Sequence, residues 1–80
     1  MIMVDVLVPP LDKVFDFEVD EKIEPKELRE DVEELIAKSE RVTFGVGQRE
    51  IFLYRIGEFL QEGRSLKTQG VINGDRLILV

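Results

Sequence analysis

The stretch IMVDVLVPPLDKVFDFEV, residues 2–19, is built on a two-residue period and interrupted once. Ile2, Val4, Val6 and Val8 alternate with Met3, Asp5 and Leu7, the pattern of a strand with one strongly apolar face. Pro9 and Pro10 end that strand, because neither can donate to a ladder. Leu11 and Asp12 complete a turn. Phe15, Phe17 and Val19 then alternate with Asp16, Glu18 and Asp20, a second strand of cleaner alternation. Two such strands joined by so short a connection predict an antiparallel hairpin.

Working outward from the hairpin, Pro25 opens a different period. Proline suits a first helical turn, where its missing N–H would be unpaired anyway. Leu28, Val32, Leu35 and Ile36 follow at helical spacing and predict a single apolar stripe. Acids crowd the early turns, Lys38 sits near the end, and Glu34–Lys38 has the favourable i,i+4 order. The helix is placed at residues 24–39. SERVTFGVGQ, residues 39–48, reads as a loop because of Gly45 and Gly47.

REIFLYRI, residues 49–56, returns to strand composition. Gly57 marks a turn before a short strand around Phe59 and Leu60, and Gly63 marks another. Ser65 is placed as the cap of a single helical turn ending at Gly70. Asn73–Gly74 signals a tight turn. Residues 76–80 form the last strand. Leu77 and Leu79 join Val4, Val6, Phe15, Phe17 and Val19 beneath the helix. The expected fold class is α+β: a mixed sheet of four to five strands packed on one main helix. Residues 1–80 are expected to form one domain.

Composition narrows the chemistry. The 80 residues are 44% hydrophobic and 35% charged, as in ordinary globular proteins. There is no Cys, His or Trp, which excludes a thiolate nucleophile, a disulfide, a Cys/His zinc site and a His-based triad. The missing Cys leaves the redox compartment undefined. The first residues lack the basic region of a signal peptide, and Asp5 interrupts any membrane span. The expectation is a cytoplasmic protein without direct membrane insertion.

The net charge of −6 is unevenly shared: residues 1–40 carry thirteen acids and five bases, residues 41–80 four acids and six bases. An acidic chain repels phosphate backbones, so nucleic acid is not an expected partner. The more basic half suits an acidic protein surface. Asp16, Glu18 and Asp20 mimic calcium-loop spacing, but a calcium loop needs Gly at its sixth position, where Glu21 stands. FGVG lacks the following G-K-[ST] of a phosphate loop. Ser39 and Ser65 have no base to activate them. No catalytic residue, metal site or cofactor is expected, and the helix acids read as a solvated face.

The order strand, strand, helix, strand, short strand, helical turn, strand is that of the β-grasp. REIFLYRIGEFLQEGRSLKTQGVINGDRLILV resembles the second half of ubiquitin, most strongly in LQEGRSL and the final strand. The ending GVINGDRLILV resembles the YukD/EsaB family, small accessory components of bacterial type VII secretion systems. The resemblance implies a non-catalytic accessory or regulatory module with a protein partner in that machinery, recruited to a membrane secretion complex. The Asn73–Gly74 turn serves the fold rather than a contact. The sequence ends at Val80 within its last strand, without the Gly-Gly tail of conjugated modifiers and sulfur carriers, so conjugation is disfavoured.

Strand alternation then defines a surface. If Leu53, Leu77 and Leu79 face the helix, then Phe52, Tyr54, Ile78 and Val80 face outward, joined by Met3 and Leu7. The resemblance places Tyr54, Ile78 and Val80 at the positions of ubiquitin's hydrophobic recognition patch, with Leu7 near its fourth member. Arg76 shares this face and is expected to form a polar rim with Arg49. The expected interaction residues are therefore Leu7, Phe52, Tyr54, Arg76, Ile78 and Val80, with Tyr54 foremost. Two alternatives stay open: a homodimeric scaffold, and a carrier whose tail lies beyond Val80.

Overall fold

The computed structural model describes residues 1–42 and 49–80. Strand β1 (Ile2–Val8) and strand β2 (Lys13–Val19) form the expected antiparallel hairpin, with Ile2 opposite Val19 and Val8 opposite Lys13. The connection is a 3-10 turn, Pro9–Leu11, closed by Asp12 in the left-handed region at φ 51°, where its N–H donates to the Pro9 carbonyl. Asp is one of the few side chains that tolerate that conformation. Helix α1 (Pro25–Glu40) begins on its proline, one residue after Glu24 at the N-cap.

Strand β3 (Ile51–Leu53) is shorter than the expected 49–56. The chain leaves the extended state after Leu53, and the Gly57 N–H closes the turn on the Leu53 carbonyl at 2.8 Å. Backbone pairing nevertheless runs past the strand ends. Glu50 and Val80 exchange two hydrogen bonds of 2.9 Å, and the Tyr54 N–H donates to the Arg76 carbonyl at 3.1 Å. Strands β4 (Glu58–Phe59) and β5 (Arg76–Leu79) complete a five-stranded sheet in the order β2-β1-β5-β3-β4. The β1–β5 pair is parallel and the other three are antiparallel, so the sheet is mixed.

The helix lies across the inner face of this sheet. Leu28, Val32 and Ile36 are buried together with Val4, Val6, Val8, Leu53, Leu77 and Leu79. Each fully buried side chain of this kind contributes roughly 1.5–3 kcal/mol, most of it offset by chain entropy. Phe15 and Phe17 are only half-buried because β2 lies at the rim of the sheet, yet both pack on the core. Leu35 departs from the expected stripe and is 53% exposed. The stripe of Leu28, Val32 and Ile36 advances four residues at a time, and Leu35 falls on its flank.

The 65–70 stretch folds as one capped turn. Ser65 Oγ accepts the Thr68 N–H at 3.1 Å, and Gly70 stops the turn at φ 86°. Leu66 is completely buried, and its N–H donates to the Ile23 carbonyl, which ties this turn to the entry of α1. The Gly45/Gly47 loop and the FGVG segment lie outside the described residues.

Candidate functional site

The outer face of the sheet carries one apolar row that crosses every strand. Register sets Val14 opposite Leu7, Leu7 beside Ile78, Ile78 opposite Phe52, and Phe52 opposite Phe59. At a strand spacing of about 4.8 Å, five neighbours span roughly 19 Å. Phe52 and Phe59 meet edge to face, with ring centroids 5.1 Å apart at 72°. Leu7, Phe52 and Ile78 are half-buried in the middle of the row, while Val14 and Phe59 are exposed at its ends.

Beside this row lies a charged one. Asp16 stands opposite Asp5, Asp5 beside Arg76, and Tyr54 continues the line through its backbone bond to Arg76. Arg76 Nη2 lies 3.5 Å from Asp5 Oδ2. The facing Asp5 carboxyl raises the pKa of Asp16, first because it favours a shared hydrogen bond with the protonated form and second because it repels the charged one; slight burial adds to this. Tyr54 is 65% exposed, the most open of the expected contact residues, and Val80 is 51% exposed on the other side of the apolar row.

The structure thus brings Leu7, Phe52, Tyr54, Arg76, Ile78 and Val80 to one face. Arg49 does not join them. Its Nη1 lies 3.4 Å from Glu33 Oε1 on α1. Residue 49 shares the parity of the buried Ile51 and Leu53, so its side chain turns towards the helix rather than the outer rim. Phe59 and Val14 were absent from the sequence-derived set. Both follow from strand register: the hairpin turn pairs Val14 with Leu7, and the tight return at Gly57 pairs Phe59 with Phe52.

A clasp holds the charged end of this face. Asp75 is buried, and its two carboxylate oxygens accept from Arg55 Nε at 2.7 Å and Nη2 at 3.0 Å. The same carboxylate accepts the Ile72 N–H at 2.9 Å. The Arg55 hydrogen bond holds the Asp75 carboxyl below the usual carboxylate range against the opposing effect of burial, helped by the Ile72 N–H and the Arg55 charge. Arg55 also donates to the Gly70 carbonyl at 2.5 Å. One guanidinium therefore ties the turn after β3 to both ends of the 70–75 loop. Gly74, at φ 87°, sends its N–H to the Met3 carbonyl at 2.7 Å, and the Met3 N–H donates to Asn73 Oδ1 at 2.9 Å. Asn73 and Gly74 dock the loop on β1, the structural role expected of them.

Two solved structures share this architecture. One is the ubiquitin-like domain of an Arabidopsis thaliana protein, with TM-score 0.73 and 19% identity over 99% of this chain and 74% of that one. The fold is the ubiquitin-like β-grasp. The other is the UBL domain of Plasmodium falciparum Dsk2, with TM-score 0.67 and 23% identity over 99% of this chain and 97% of that one. At these identities the likeness is one of fold. No family model matches the chain, and no curated protein does.

Among the described residues of this β-grasp, no group of three or more acidic side chains is arranged to hold a metal ion. Among the same residues, no helix is long and apolar enough to cross a membrane. The Ser65 hydroxyl is engaged in its turn, 2.7 Å from Thr68 Oγ1.

Proposed function

We propose that this ubiquitin-like domain is a non-catalytic protein-interaction module that docks a partner on the outer face of its sheet. The observation that carries the reading is the unbroken apolar row from Val14 through Leu7, Ile78 and Phe52 to Phe59. Scattered exposed apolar residues are normal on protein surfaces, whereas a contiguous line with a charged border is the layout of a recognition patch. Tyr54 and Val80 flank the line as exposed contacts, and Arg76 supplies the polar border. The finer role is that of an accessory or regulatory component of a bacterial type VII secretion system. The likeness of GVINGDRLILV to the YukD/EsaB family supports it. In that role residues 1–80 act as one cytoplasmic domain recruited to the secretion complex.

The test is co-purification with type VII machinery from a host that encodes this chain. Wild type is compared with the double variant Tyr54→Arg, Ile78→Asp after circular dichroism shows both folded. Recovery of secretion components by wild type alone is the expected result. Equal recovery by both would keep the role and remove the face. Recovery of none, with reversible dimers that the double variant abolishes, would replace it with the homodimeric scaffold.

A further inference from the structure

The charged row on the outer face has an order of its own. Across β2, β1, β5 and β3 it reads acid, acid, cation, phenol: Asp16, Asp5, Arg76 and Tyr54. The acids stand on one side of a line drawn between β1 and β5, and their complements stand on the other. Within the chain the row is unbalanced, because two facing carboxylates have one guanidinium beside them, 3.5 Å from Asp5. The Asp5 and Arg76 side chains are 41% and 46% exposed, so both are open to a further partner.

A two-fold axis running along the strands, between β1 and β5, turns this row into its own complement. It lays Asp5 over Arg76 of a second copy, and Arg76 over that copy's Asp5. It also sets Asp16 over the phenol of Tyr54, which can donate to a carboxylate. The apolar row obeys the same operation: Leu7 meets Ile78, and Val14 meets Phe52. Stacked sheets lie about 10 Å apart and cross at about 30°, a gap that an arginine and an aspartate span between them. The acids of α1 lie behind the sheet, farther from the contact than the screening length of about 8 Å at physiological salt, so the net charge of −6 opposes the approach little. Four strands at about 4.8 Å, with three outward positions each at about 6.6 Å, overlap over roughly 400 Å² a side, the range of reversible contacts.

We propose that the free protein closes this face on a second copy of itself, as a reversible two-fold dimer in which Asp5 and Arg76 pair reciprocally. The inference rests on the reading of this face as an interaction surface, and it names what covers the face before a foreign partner arrives. That partner must displace the second copy, so self-association sets the concentration of open faces.

The test is charge exchange, read by sedimentation velocity over a range of protein concentrations. Wild type forms dimers reversibly, and less readily as salt rises. Asp5→Arg sets arginine against arginine across the axis, and Arg76→Asp sets aspartate against aspartate. Each variant alone weakens the dimer by about tenfold or more. An equimolar mixture of the two restores a one-to-one dimer, because each supplies the charge that the other now needs. Leu35→Lys, on the flank of α1, leaves association unchanged. Circular dichroism verifies each fold, and the pair Asp5→Lys and Arg76→Glu replaces a variant that fails it. A wild type still monomeric at about 1 mM, single variants that dimerise like wild type, or a mixture that stays monomeric would each overturn the proposal. Capture of secretion components through Tyr54 and Ile78 by a monomeric wild type removes the dimer and keeps the face. Restored dimers in the mixture, with no component captured, keep the dimer and remove the foreign partner.

Discussion

Asp75 shows how a single side chain ties sequence to tertiary order. It is 5% exposed, and Arg55 bonds both of its oxygens. Asp75→Asn loses the charge-assisted pair and leaves Arg55 without its counter-ion. The expected cost at pH 7 is about 1–3 kcal/mol, held toward the lower end because Arg55 is partly solvated. The sign with pH follows from the lowered pKa. A carboxyl whose folded pKa lies below its unfolded value stabilises above the unfolded value, near pH 4, and loses that contribution as pH falls through the folded value. Urea denaturation at pH 7 and in acid should show the gap between wild type and Asp75→Asn closing as the pH falls. Asp16 has the opposite sign. Its raised pKa means that the folded state gains stability as pH falls through that value, because protonation relieves the clash with Asp5. Asp16→Asn should therefore melt above wild type at neutral pH, and the advantage should vanish on acidification.

At the scale of elements, the helix and its flank test how the stripe is aimed. Ile36 is buried at 1% exposure, and Leu35 lies outside the core. Ile36→Ala should cost about 2–5 kcal/mol, because it removes buried methyl groups and leaves a cavity beneath the helix. Leu35→Lys should change stability by no more than about 0.5 kcal/mol, as surface substitutions do. Denaturant midpoints at constant slope separate the two. A large loss in the Leu35 variant would mean that the helix is rotated from the orientation described. The pairing of β3 with β4 illustrates the converse case. Among the described residues β4 has two residues and a single neighbour, and its Phe59 gains a fixed place through the edge-to-face contact with Phe52. A contact of that geometry contributes about 0.5–1.5 kcal/mol beyond area burial.

For the whole molecule, sheet order sets the gradient of local stability. β5 is bonded on both sides, to β1 and β3, and β1 lies between β5 and β2. Amide hydrogen exchange should be slowest for the buried residues of β1 and β5, such as Val6 and Leu77, and much faster at Glu58 and Phe59 on the rim. Equal protection across all five strands would show that the sheet opens as one unit. The same order creates the candidate surface. A central β5 brings Ile78 between Leu7 and Phe52. Residues seventy positions apart in the sequence meet here, as where the Asn73 side chain accepts from the Met3 backbone at 2.9 Å.

The amino-acid sequence by itself determined the features that arise from local periodicity. The alternation on either side of Pro9 and Pro10 specified the hairpin, and the 3.6-residue spacing after Pro25 specified the helix to within a residue of each end. Alternation also placed Leu7, Phe52, Ile78 and Val80 opposite the core, because neighbours along a strand must face opposite ways. The tertiary structure decided what depends on register and on packing between distant segments. It brought Val14 and Phe59 into the apolar row, turned Arg49 towards Glu33, and left Leu35 exposed on the flank of α1. It also closed Arg55 on Asp75, a pair separated by twenty residues that no local period marks. Local patterns state which way a side chain faces; only the assembled sheet and helix state what stands next to it.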